Sequence, residues 1–250
     1  SGKRYPVFYL LHGAGGDEEA WIALGRTSQI LDNLIAQGKA KPMIVVMTNG
    51  NAWQDAAAGE SPKGFVAPSM RPDERAKVAE GAFELSFPEI VKFVEKNFRT
   101  LANKKNRAIA GLSMGGGGTA SYAQRYPDMY CAAYAMSALM NIPVSGEEVG
   151  RDPDPTNKMA VLTRSVQEHS CIKYVLEADE ARKAALRTVQ WFVDCGDDDF
   201  LLDRNIEFFQ AMRNAGIPCQ FRVRDGGHTS EYWHSALYMC LPFVSRCFEK

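Results

Sequence analysis

The stretch from Arg107 to Ala120, RAIAGLSMGGGGTA, constrains the fold of this chain more than any other. Ala108, Ile109 and Ala110 read as a short apolar strand, and Gly111, Ser113 and Gly115 then complete a G-x-S-x-G ahead of small residues that can open a helix. In that strand-turn-helix context the motif describes a sharp turn that lifts a serine hydroxyl above the edge of a sheet. The flanking glycines let strand and helix backbones close around the turn without a Cβ clash. Ser113 is therefore the candidate nucleophile, and the backbone N–H of Met114, at the first turn of the helix, is placed to face an oxyanion formed on it.

Two other readings of the same residues are weaker. A Gly-rich segment with a serine can be a plain turn. Gly115, Gly117 and Ala120 also satisfy the dinucleotide pattern G-x-G-x-x-A, but that fingerprint needs its glycines directly after the strand, and these come where the helix has begun. No G-K-[ST] follows, which excludes a phosphate-binding Walker loop.

The 250 residues, 46% of them hydrophobic, suffice for one sizeable core, so a single domain over 1–250 is expected. A net charge of −1 gives no electrostatic reason for a nucleic-acid or anionic-membrane partner, and no apolar run has the length of a membrane span. Six cysteines show neither C-x-x-C nor metal-ligand spacing; they read mostly as buried thiols, with Cys240 and Cys247 the one pair to test for a bridge.

Along the chain, apolar runs alternate with amphipathic ones. Strands are expected at Val7–Leu11, Met43–Met47, Tyr130–Ser137, Val189–Cys195 and Cys219–Val223, besides the one before Ser113. Helices are expected at Ser28–Gly38, Phe83–Phe98, Leu201–Ala215 and Ser230–Phe248. The segment from 51 to about 80 has no sustained period, and a loop that long is more often functional than idle; its Trp53 and Phe65 are candidate substrate contacts. Residues 141–188 break the rhythm and read as a cap or side insertion with one or two helices, contributing to the substrate pockets with Trp21 and the 51–80 loop. The expected fold is α/β with a mostly parallel sheet covered by helices on both faces.

In such a sheet, reacting groups gather at the carboxyl ends of the strands. Three strand ends carry suitable residues: Ser113, the acids Asp197, Asp198 and Asp199, and His228 after a Gly-Gly turn. Their order, Ser then Asp then His, is that of the α/β-hydrolases. His228 would take the hydroxyl proton and return it to the leaving alcohol, while the acid fixes its tautomer. All three acids occupy the loop, the choice of Asp199 over Asp198 resting partly on the resemblance described below, while Asp194, before the strand end, faces elsewhere. His12 sits in the His-Gly turn, His169 in the insertion and His234 inside the last helix, one face away from the strand end; a metal site built on His228 and His234 has no matching helical spacing. The turn after the first strand, His12 to Gly15, is where hydrolases of this fold place a second oxyanion donor, here the N–H of Ala14.

Four stretches together, YLLHGAGG with Trp21 downstream, AGLSMGG, CGDDDFL and GGHTSEYW, resemble the esterase family of α/β-hydrolases. That family includes the feruloyl and acetylxylan esterases of carbohydrate esterase family 1 and the esterase D-like S-formylglutathione hydrolases. The resemblance implies the α/β-hydrolase fold, the triad Ser113, Asp199 and His228, oxyanion donors Ala14 and Met114, and no cofactor or metal. It also implies ester hydrolysis on a small molecule or polysaccharide, with feruloyl or acetyl groups on xylan as the substrate class, and a secreted or periplasmic location. Family members usually carry further strands before Tyr5, so the sheet is expected to lack N-terminal edge strands. The rivals are a cytoplasmic S-formylglutathione thioesterase and, in another class, a non-catalytic carbohydrate-binding or interaction module.

Overall fold

The computed structural model describes residues 2–14, 16–50 and 82–248. Strand β1 (Val7–Leu11) is buried at every position, and its alternating side chains serve two different cores. Val7, Tyr9 and Leu11 face one side of the sheet, and Phe8 and Leu10 the other. A strand apolar at every position needs cover on both faces, which helices joining parallel strands supply. The six described strands are all parallel, β1, β2 (Ile44–Val46), β3 (Arg107–Leu112), β4 (Ala132–Met136), β5 (Gln190–Gly196) and β6 (Cys219–Arg224), in the order β2-β1-β3-β4-β5-β6.

Helices α1 (Ala20–Ala23), α2 (Thr27–Ala36) and α9 (Ser230–Cys247) bury Trp21, Ile30, Leu34, Leu237, Leu241 and Val244 against the Phe8 side. Helices α3 (Ala82–Asn97), α4 (Met114–Arg125) and α8 (Leu202–Asn214) bury Phe87, Val91, Tyr122 and Phe208 against the Tyr9 side. Gly38 and Gly216 end α2 and α8 with φ of +69° and +67°, left-handed stops that glycine adopts without strain.

The order of strands decides where a ligand can sit. From β1 the chain runs outward to β2 and then returns past β1 to β3, so connections leave β1 and β3 in opposite directions. The crevice between their carboxyl ends is the switch point of the topology, where open α/β sheets bind ligands.

Two expectations need correction. The Met43–Met47 strand is not a fully buried one: β2 is half-buried, because it pairs on one side only at the end of the described sheet. Residues 141–188 hold three α-helices rather than one or two, α5 (Lys158–Glu168), α6 (Cys171–Leu176) and α7 (Glu180–Leu186), after a 3₁₀ helix at Val144–Arg151. While α5 packs with the 3₁₀ turn, Cys171, Ile172, Val175 and Leu186 enter the Tyr9-side core, so the second half of this segment belongs to the body. All six cysteines are free thiols, Cys240 and Cys247 among them. Among the described residues, no helix is long and apolar enough to cross a membrane.

Candidate active site

Ser113 lies between β3 and α4 with φ 54° and ψ −116°, a conformation L-residues avoid and one that a tight strand-to-helix turn imposes. Its surroundings leave no alternative. The Ser113 N–H donates to the Met136 carbonyl at 2.9 Å, and its own carbonyl accepts from Gly117 and Leu139 at 3.0 and 2.9 Å. A Cβ on Gly111 would stand 2.4 Å from the Gly115 carbonyl oxygen, and one on Gly115 would stand 2.4 Å from the His12 carbonyl oxygen. Both motif glycines are therefore required by close approach of backbones, and the pair draws β1, β3 and α4 together under the serine. Met114 is the first residue of α4, so its N–H has no carbonyl four residues back within the helix.

The other two partners come from the far half of the sheet. Strands β5 and β6 pair along their whole length, which sets the loops after them side by side. Gly196 lies so close to the second loop that a Cβ there would be 2.0 Å from the Gly226 carbonyl oxygen. In the first loop Asp197 accepts the Gly226 N–H at 2.9 Å and braces the turn, Asp198 is exposed, and Asp199 points inward. Nδ1 of His228 lies 3.0 and 2.9 Å from the two Asp199 oxygens, and Nε2 lies 3.0 Å from Oγ of Ser113. The Asp199 side chain is 0% exposed and that of His228 19%. Burial by itself raises the Asp199 carboxyl; hydrogen bonds from His228, the Leu201 amide and Ser137, with the charge of His228, outweigh it and hold the group below the ordinary carboxylate range. An ionised Asp199 keeps the ring proton on Nδ1 and the lone pair of Nε2 toward Ser113. A hydroxyl so paired can lose its proton to the imidazole as it attacks a carbonyl carbon.

The turn after β1 is held just as firmly. His12 is buried, donates from Nδ1 to the Gly13 carbonyl at 2.7 Å and accepts the Gly50 N–H on Nε2 at 2.8 Å, which ties the His-Gly turn to the segment after β2. Ala14 is exposed in this turn and lines, with Ser113 and His228, a pocket of about 240 Å³. Trp21 forms part of its wall, but is only 2% exposed and commits its indole N–H to the Leu11 carbonyl at 2.8 Å, so it offers substrate an apolar surface and no hydrogen bond. Trp53 and Phe65 lie outside the described residues. None of the described lining comes from 141–188, contrary to expectation.

Several residues at the site carry no clear sign in the sequence. His234, expected one face away, lines the same pocket, because α9 starts at Ser230 and brings its second turn back over the crevice. Its Nδ1 lies 3.0 Å from the Gly25 carbonyl. Phe200 and Trp233 flank the His228 ring at centroid distances of 4.6 and 4.8 Å. The Trp233 indole donates to Ser137 Oγ at 3.0 Å, and Ser137, buried with φ of 43°, also contacts Asp199. The buried Asn205 amide clamps Ala138 at the end of β4, accepting its N–H at 3.2 Å and donating to its carbonyl at 2.9 Å. Asp194 does face away from the triad, into a buried cluster where the hydroxyls of Tyr134 and Tyr232 each donate to it at 2.6 Å and Arg222 pairs with it. That cluster fixes the first turn of α9 just beyond His228. Trp233 falls within the GGHTSEYW stretch, whose clustered aromatics were the available signal; Ser137, Asn205 and Asp194 are set by tertiary contacts that no local pattern reveals. Among the described residues no group of three side chains could hold a metal ion.

A family model described as "Putative esterase" matches residues 1–244. The chain is 40% identical over 240 residues to an endo-1,4-beta-xylanase/feruloyl esterase of Xylanibacter ruminicola; the match covers 94% of this chain and spans 26% of that longer protein. Among solved structures, a ferulic acid esterase is 52% identical with a TM-score of 0.80, covering 99% of this chain and 87% of that one. An S-formylglutathione hydrolase of Staphylococcus aureus superposes with a TM-score of 0.68 over 97% of this chain and 85% of its own, but at 20% identity it speaks for the fold alone.

Proposed function

This chain belongs to the esterase family of the α/β-hydrolase fold, and we propose that it is a serine carboxylesterase that removes feruloyl or acetyl groups from xylan-type polysaccharide through an acyl-enzyme. The observation that carries the reading is the unbroken line of hydrogen-bond contacts from Ser113 Oγ through both nitrogens of His228 to a buried Asp199. In the first half-reaction His228 accepts the Ser113 proton as Oγ attacks the ester carbonyl. The N–H groups of Ala14 and Met114 receive the oxyanion. His228 then protonates the departing alcohol, leaving the acyl group on Ser113. In the second half a water enters the alcohol's place, gives its proton to His228 and releases the acid. No cofactor or metal takes part.

The substrate class is argued from the two similar proteins named as feruloyl or ferulic acid esterases, and from a pocket walled by Trp21, Leu24, Leu112 and Trp233, which suits an aryl acyl group. On sequence grounds Trp53 and Phe65 join Trp21 as candidate substrate contacts. A polysaccharide substrate also sets the location, secreted or periplasmic. The test is turnover of methyl ferulate, 4-nitrophenyl acetate and S-formylglutathione by the wild type and by Ser113→Ala. The expected result is ferulate hydrolysis that falls by about 10⁴ or more in the variant. A strong preference for S-formylglutathione would make the chain a thioesterase, and no turnover of any of the three would make it a non-catalytic relative.

A further inference from the structure

His234 is left without a task by the triad chemistry, although its ring lines the reacting pocket. A carbonyl oxygen can only accept, so the 3.0 Å contact between Nδ1 and the Gly25 carbonyl requires the proton on Nδ1. In the neutral ring the lone pair is then on Nε2, and among the described residues no group donates to it. Tyr238 is a ring contact at 6.1 Å between centroids rather than a hydrogen-bond partner. The pocket around it is otherwise mostly apolar, with Trp21, Leu24, Leu112 and Trp233 in its walls and Ser113 on the same surface. An imidazole acceptor held by a backbone anchor in an apolar pocket suits a ligand that is apolar along its length and carries one hydroxyl donor.

Resting on the esterase reading, we infer that Nε2 of His234 accepts a hydrogen bond from the aryl hydroxyl of a hydroxycinnamoyl acyl group, and so makes the enzyme selective for hydroxylated over unsubstituted cinnamoyl esters. The sugar of the natural ester is the less suitable occupant, because its several hydroxyls would meet apolar wall on most sides. A site that hydrogen-bonds a substrate hydroxyl penalises the analogue lacking it, since the acceptor is then desolvated and unpaired. With a neutral donor and acceptor in a pocket open to water, the discrimination is about tenfold. His234 acts on binding and orientation of the acyl group, not on proton transfer at the ester.

Two substitutions separate this role from a structural one. In His234→Asn the amide nitrogen takes roughly the place of ring Nδ1, keeping the donor to Gly25 while removing the acceptor at Nε2. In His234→Gln the amide oxygen reaches roughly the place of Nε2, keeping an acceptor while losing the anchor. The measurement is kcat/KM at about pH 8 for methyl 4-hydroxycinnamate and methyl cinnamate, with 4-nitrophenyl acetate as a test of acyl transfer in the wild type. Expected is a hydroxycinnamate-to-cinnamate ratio about tenfold lower in His234→Asn than in the wild type and largely retained in His234→Gln. An unchanged ratio in His234→Asn, or equal losses on both esters in the two variants, overturns the inference. It is overturned too if the wild type turns over 4-nitrophenyl acetate but neither cinnamate, with the esterase reading intact. A wild type inactive on all three esters defeats that reading and this inference together.

Discussion

Asp199→Asn tests the electrostatic logic of the site more sharply than removal of the nucleophile would. In the wild type the carboxylate faces Nδ1 of His228 at 3.0 and 2.9 Å, while its Oδ1 also accepts the Leu201 N–H at 2.9 Å. An asparagine has one acceptor end and one donor end. The Leu201 amide can only donate, so it holds the new oxygen, and the NH₂ group turns to Nδ1. The ring must then accept at Nδ1 and carry its proton on Nε2, where it donates to Ser113 instead of relieving it of a proton. Reversing the tautomer without moving the ring costs about 10⁴ in kcat in triads of this kind, equivalent to about 5.4 kcal/mol at about 1.36 kcal/mol per factor of ten. The assay is steady-state hydrolysis of methyl ferulate by Asp199→Asn and Asp198→Asn in parallel, with circular dichroism to verify folding. Because Asp198 is exposed, its variant should stay within about threefold of the wild type. A loss below about tenfold in Asp199→Asn, or a greater loss in Asp198→Asn, refutes the reasoning.

Three further outcomes are expected from the same structure. The net effect of burial and hydrogen bonding holds the Asp199 carboxyl below its unfolded value, so its stabilisation is complete above the unfolded pKa of about 3.9 and is lost as pH falls through the lower folded value. The Tm difference between the wild type and Asp199→Asn should accordingly shrink from about pH 6 to about pH 3; a difference that grows on acidification would contradict the sign. Asp194→Asn removes the charge that Arg222 faces inside the tyrosine cluster, and with Arg222 partly exposed the cost should be about 3 kcal/mol. Calorimetry should then show Tm lowered by about 6–12 °C for a chain of this size, and a shift under about 2 °C would mean the cluster contributes little. Gly115→Ala places a Cβ 2.4 Å from the His12 carbonyl oxygen and 2.8 Å from Leu11 Cβ, which forces α4 away from β1. It should lose about 1–3 kcal/mol of stability and most of the esterase activity, and a variant as stable and active as the wild type would show that the approach is not obligatory.

The parts of the fold that were legible in the sequence are those dictated by local periodicity and by backbone demands. Continuous apolar runs such as Val7–Leu11 announce strands buried on both faces, and the spacing in α2, α3 and α9 announces helices with one apolar side. The G-x-S-x-G turn was legible because two glycines are needed where three backbones converge. Strand order put an acid loop beside His228 once the motifs were placed, while the choice of Asp199 within that loop leaned on the resemblance to the esterase family. Pairing also explains what was hidden: the half-burial of β2 depends on its place at the end of the strand order, which its own residues do not encode. Likewise the extent to which 141–188 belongs to the body depends on Cys171, Ile172 and Val175 meeting α4 and α8, and the approach of His234 to the pocket depends on where α9 begins. Ser137, Asn205 and Asp194 are polar residues buried by distant partners. Ser137 and Trp233 are 96 positions apart, Asn205 and Ala138 67, and Asp194 and Tyr134 60, and separations of that size leave no trace in a local window.

The central claim is that Ser113 is a nucleophile activated by His228 and oriented toward an electrophile in the pocket beside it. Reaction of the intact protein with a fluorophosphonate, followed by mass mapping of the adduct, tests that claim most directly. The expected result is a single phosphonyl adduct on Ser113, absent from Ser113→Ala and formed far more slowly in His228→Ala. An unlabelled protein, or an adduct carried by another residue with Ser113 unmodified, would contradict it.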